Sequence, residues 1–155
     1  MKKYDKSGAG FTLIEIIVVI AIISILSGII LFSVTQYINK GKDSNIAGNL
    51  AVLVPAGEAY YNARPNSYEG FCESNVVNNA KEQMPVNLSG SCYDPSTNPK
   101  GVCCHVEDTY HQAWAACARS FADDTKAFCV DSRGVKKEIP YNSCTNNIIE
   151  CPLSI

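Results

Sequence analysis

GFTLIEIIVVIAIISILSGIILFSV, residues 10–34, carries a single ionisable side chain, Glu15, in a run that is otherwise apolar or small. A helix needs roughly 20 apolar residues to cross a bilayer core of about 30 Å, and this run supplies them. A carboxylate placed in such a segment costs about 2.5 kcal/mol or more at the helix centre, so it marks a function and calls for a partner. The run predicts a transmembrane or assembly helix over residues 11–34, and the partner of Glu15 becomes the central question of the sequence.

Upstream lies MKKYDKSGAG, residues 1–10, with Lys2, Lys3 and Lys6 against Asp5. Basic flanks stay in the cytoplasm, so the apolar helix enters the cytoplasmic membrane with its N-terminus inside and delivers the downstream chain to the outside. The small residues Gly8, Ala9 and Gly10 precede the apolar run, whereas an ordinary signal peptide places them after it.

This Lys-rich leader, with Gly10 followed by Phe11-Thr12-Leu13-Ile14-Glu15 opening an apolar helix, resembles the N-terminal signature of type IV prepilins and the related pseudopilins of type II secretion. The resemblance implies that residues 1–10 are a leader peptide and that a prepilin peptidase cuts between Gly10 and Phe11. It implies N-methylation of Phe11 and a contact in which Glu15 of one subunit meets the Phe11 amine of another. Physical chemistry supports such a pairing: an ammonium and a carboxylate each stranded in hydrocarbon are expensive, and a stagger that joins them removes both costs. Related pilins often carry a proline in this part of the helix; here Gly28 is the weaker breaker.

Downstream, Ile46, Leu50, Leu53 and Val54 follow the spacing of a helix that buries one face, which predicts an amphipathic continuation over residues 35–62. Gly41 and Pro55 are the expected bends. Residues 63–155 are expected to form an extracytoplasmic, disulfide-stapled head. Within it, residues 66–100 read as an irregular connector with a short helix over 74–83, and residues 101–139 as three or four strands. If Cys117 lies opposite Cys129, then Trp114, Ala116 and Ala118 share a face with Phe128 and Val130, so one register yields an apolar face and a cysteine face. The expected fold is α+β: a long N-terminal helix packed on a small antiparallel sheet.

Cys72, Cys92, Cys103, Cys104, Cys117, Cys129, Cys144 and Cys151 all lie beyond the apolar run. An even number of cysteines behind a membrane segment reads as a disulfide framework formed in an oxidising compartment. Spacing leaves the connectivity open; the pairs expected are Cys72 with Cys92, Cys117 with Cys129, and the tail cysteines Cys144 and Cys151 with each other or with Cys103 and Cys104. Cys103-Cys104-His105, with His111 nearby, lacks the paired Cys-x2-Cys spacing of a metal site, so no metal or other cofactor is expected.

No catalytic constellation stands out. Glu107-Asp108 and Asp123-Asp124 read as solvated loop tips, and Phe11, Phe32, Tyr37, Tyr60 and Tyr61 as packing and interface anchors. A formal charge of −2 without a basic cluster speaks against nucleic acid. The expectation is therefore a structural, non-enzymatic subunit of a pilus-like extracellular filament, with prepilin peptidase and identical or related subunits as partners. The alternatives are a type II secretion pseudopilin or minor pilin, and, from another class, a monomeric membrane-tethered binding domain.

Overall fold

The computed structural model of the chain describes residues 10–85 and 101–152. Helix α1 spans Leu13–Ala63 and helix α2 Asn75–Gln83; the strands are β1 Val102–Val106, β2 Trp114–Arg119, β3 Lys126–Asp131 and β4 Lys136–Pro140, with a 3-10 turn after them at Tyr141–Ser143. The chain divides into two units, residues 1–37 and residues 38–155. Helical assignment is unbroken through Gly41 and through Pro55. In the first unit, residues 10–31 are all exposed, which for a run this apolar defines a surface made for lipid or for other protein.

In the second unit the four strands form an antiparallel sheet in the order β1-β2-β3-β4. Cys117 pairs with Cys129, Ala116 with Val130 and Ala118 with Phe128, as the cysteine alternation predicts. The period of two then sends the two sets of side chains to opposite faces. Trp114, Ala116, Ala118 and Val130 pack with Ile46, Leu50 and Leu53 of α1 and with Tyr68, Phe71 and Val77. Trp114 is fully buried, and a Cβ placed on Gly57 of α1 would stand 2.8 Å from its ring. Glycine is required there because the indole lies directly on the helix backbone, while Ala116 and Ala118 leave room for the larger side chains of α1. Tyr60 and Tyr61 join the same aromatic group, Tyr60 with its ring centroid 5.4 Å from Phe71 and Tyr61 with its centroid 4.7 Å from Tyr68.

Short polar devices fix the connections. Ser74 caps α2 and accepts a hydrogen bond from the Val77 amide. Gly134, at φ +80°, closes the β3–β4 turn with its amide on the Asp131 carbonyl. Asp43 of α1 ties the β2–β3 turn to the helix: it accepts from the Phe121 amide at 2.6 Å, the Ser120 hydroxyl at 2.8 Å and the Ala122 amide at 3.1 Å. A buried carboxylate answered by three donors stabilises the turn; an unanswered one would cost several kcal/mol, on the order of a lost buried charge partner.

The second face of the sheet is covered by the tail. Cys103, Ala115, Cys117, Ala127, Cys129 and Ile139 form a second core with Tyr141, Cys144, Ile148 and Cys151. Here the disulfide pairs differ from those expected. Cys72 bonds Cys104, Cys117 bonds Cys144 and Cys129 bonds Cys151, with Cα separations of 5.5, 5.8 and 5.9 Å. Cys72–Cys92, Cys117–Cys129 and a Cys144–Cys151 pair are therefore all excluded for this fold, as is bonding of Cys144 or Cys151 to Cys103 or Cys104. The physical reason lies in sheet geometry. Directly opposed side chains rise in parallel with Cβ atoms about 4.5–5.5 Å apart, farther than the usual disulfide value of about 3.8 Å. A segment crossing above the sheet brings its cysteines down onto the row at a better angle. Cys103 is also disulfide-bonded, and Cys92 lies outside the described residues. The sulfurs of Cys103, Cys117 and Cys144 lie within 4.8 Å of one another, but as disulfide sulfurs they offer no thiolate to a metal.

One ion network holds the tail in place. The fully buried Asp131 accepts from the Cys151 amide at 2.9 Å and from Arg133 at 2.6 Å; Arg133 in turn donates to the Cys151 carbonyl at 2.9 Å and pairs with Glu150 at 2.9 Å. Burial pushes the Asp131 carboxyl up, but Arg133 and the amides of Cys151, Val135 and Arg133 outweigh it and hold the group below the usual carboxylate range. A carboxyl lowered in the folded state contributes stability that is complete above its unfolded value of about 3.9 and is lost as pH falls through the folded value. The thermal midpoint of the head is thus expected to drop below about pH 4. An Asp131→Asn chain should start from a lower midpoint at neutral pH and lose less on acidification; circular dichroism melts between pH 7 and pH 2 check this.

Candidate assembly site at the start of the long helix

The residues singled out in the sequence lie together at the start of α1, and they form a local motif. Thr12 is the residue before the first helical position, Leu13, so Glu15 stands at the third position of the helix. The Glu15 amide donates to Thr12 Oγ1 at 3.3 Å, while Glu15 Oε2 accepts from the Thr12 amide and from the Thr12 hydroxyl, both at 2.7 Å. This reciprocal arrangement is a capping box, which satisfies backbone donors that a helix start otherwise leaves unpaired. A carboxylate there also lies at the positive end of the helix dipole. The signal was legible as Thr-x-x-Glu before an apolar run, but reading Glu15 for its charge alone passes over it.

The box answers the hydrogen-bonding half of the Glu15 question and leaves the charge. Its donors are a neutral amide and a hydroxyl, and no cation pairs with Glu15 among the described residues. Around it Phe11, Leu13, Ile14, Ile16, Ile17 and Val18 are exposed, with Phe11 at 83%. Gly10 is exposed, and a Cβ there would meet nothing within 4 Å among the described residues. Further along, Ser24 returns its hydroxyl to the Ile20 carbonyl at 2.7 Å, which removes a polar group from the exposed surface.

Other candidate residues do not converge. His105 sits on β1 and approaches Asp108 at 3.7 Å; His111 lies in the β1–β2 connection at φ +52°. Asp123 and Asp124 serve their own turn, Asp123 through Thr125 and Lys126 and Asp124 through Arg119.

The pattern of the family described as the prokaryotic N-terminal methylation motif matches residues 5–31. The type IV major alpha-pilin of Moraxella bovis is 34% identical over 91 residues, which cover 59% of this chain and 52% of that protein. The chain thus spans about half the length of this curated relative. No solved structure matches. Residues 5–31 carry the prokaryotic N-terminal methylation motif of type IV prepilins, and the chain is similar to a type IV major pilin.

Proposed function

We propose that the chain is a structural subunit of a type IV pilus-like filament. It is made as a single-pass precursor in the cytoplasmic membrane with its N-terminus inside, cut between Gly10 and Phe11 by a prepilin peptidase and methylated at Phe11. Mature copies then polymerise through the apolar half of α1 into an extracellular fibre whose surface is the disulfide-locked head. The observation that carries this reading is Glu15, which is capped but has no cation partner among the described residues and stands in the exposed apolar run of residues 10–31. Cleavage creates a cation four residues away, and a neighbour in staggered register supplies it to the acid. A bulk subunit is favoured over a secretion pseudopilin by the relative that bears the name of a major pilin.

Mass measurement of sheared surface material tests the reading. The expected subunit begins at a methylated Phe11, and a Gly10→Leu chain is expected to stay in the membrane at precursor mass. A subunit that still begins at Met1 in the unaltered protein would overturn the filament and leave a tethered head.

A further inference from the structure

The head carries a knob and a hole of matched chemistry on different parts of its surface. The knob is the β1–β2 loop. Its tip residue Tyr110 is 72% exposed, and Glu107 and Asp108 precede it. The loop is held firmly: the Glu107 amide donates to the Ala113 carbonyl at 2.9 Å and the Tyr68 amide to the His111 carbonyl at 2.9 Å. Gln112 donates to the Asn66 carbonyl at 2.7 Å and accepts from the Tyr61 hydroxyl at 2.7 Å. An aromatic side chain displayed on an anchored loop loses little freedom on binding, and tyrosine is among the residues that dominate interface energies.

The hole lies on the β4 side of the sheet, between that strand and α1. Ala47, Leu50, Phe128 and Val130 line a hollow of about 240 Å³, and Lys136, paired with Val130, stands on the same face of the sheet beside it. That size suits one aromatic side chain; pockets for drug-sized ligands start at about 300 Å³. Its one carboxylate, Glu138, is already paired with Lys126 at 3.2 Å. Lys136 has no ion-pair partner among the described residues.

We propose that Tyr110 of one copy seats in the α1–β4 hollow of the next, with Glu107 and Asp108 set against Lys136. The inference rests on the filament reading and adds the head-to-head contact to it. Knob and hole are unlike patches, so each copy offers one to each neighbour, and where the rotation between copies does not close a ring the contact propagates as a fibre requires. A single such contact is weak, but repetition along a polymer multiplies it.

The test places the photo-crosslinker p-benzoylphenylalanine at position 110 of the full chain and maps the products in sheared fibres. The expected product joins position 110 to an intermolecular peptide carrying Ala47–Leu50 or Phe128–Lys137. In parallel, a Lys136→Glu chain should yield at least fivefold less fibre, and adding Glu107→Lys/Asp108→Lys should recover it. Fibres that form normally but crosslink elsewhere, or charge reversal without recovery, overturn this contact alone. An unaltered chain that is never processed and forms no fibre overturns the filament reading, and this contact with it.

Discussion

Glu15→Gln and Glu15→Leu chains are both expected to reach the membrane at normal levels and to lose fibre by at least about tenfold, since breaking a buried ion pair costs several kcal/mol and each 1.4 kcal/mol is a factor of ten. The pair of substitutions separates the capping box, which the structure shows, from the intersubunit charge pairing proposed for this side chain. Glutamine keeps an oxygen able to accept from the Thr12 amide and hydroxyl, so it preserves the capping box, while leucine removes both box and charge. If the charge sets the register between subunits, the two variants fail alike. If the box were all that matters, glutamine would assemble nearly as well as the unaltered chain, and the charge argument would be wrong. Counting fibres by electron microscopy against the membrane-bound pool on immunoblots makes the measurement. A Thr12→Val chain completes the comparison: it removes the hydroxyl half of the box, keeps the carboxylate, and is expected to assemble with only a modest deficit, because a cap is worth about 1 kcal/mol.

Removing the bond between Cys117 and Cys144 by double alanine substitution is expected to lower the stability of the head by about 3–4 kcal/mol, the loop-closure value for a separation of 27 residues. For a domain of this size that corresponds to a fall of roughly 12 °C or more in the thermal midpoint. Loss of the Cys129–Cys151 bond, which closes 22 residues, should cost slightly less in the same model. Both bonds pin the same short tail, so the two losses are not expected to add; once one clasp is open, Asp131 and Arg133 still hold Cys151 by two hydrogen bonds. Melts of the detergent-solubilised full chain, with and without a strong reductant, provide the check. A midpoint that moves by less than about 3 °C would mean that the second core is held by its apolar contacts rather than by its sulfurs.

The parts of this fold that were legible in the sequence are those whose signal is local. The apolar run, the leader and Glu15 sit within one stretch of chain. The sheet register came from a simple alternation in which Cys117 and Cys129 mark one face and Trp114, Ala116, Phe128 and Val130 the other. The cysteine pairing failed because facing strands suggested the nearest partner, whereas the outcome depends on where residues 144 and 151 land. That landing is directed by Asp131, Arg133 and Glu150, a network no spacing announces. Asp43 was equally invisible, since its partners are amides of a turn almost eighty positions away. Gly57 carries no signal of its own in the sequence; the need for glycine there comes from the Trp114 ring set against it.

All six residues of β2 are buried, because α1 covers one side of the sheet and the tail covers the other. Whatever the protein meets in its surroundings therefore touches turns, rims and the outer strands, never β2. Sequence drift has wide licence at exposed positions such as Val76 and Ile149, and almost none between Trp114 and Arg119. A lineage could redecorate its outer coat many times over while the woven interior stayed the same.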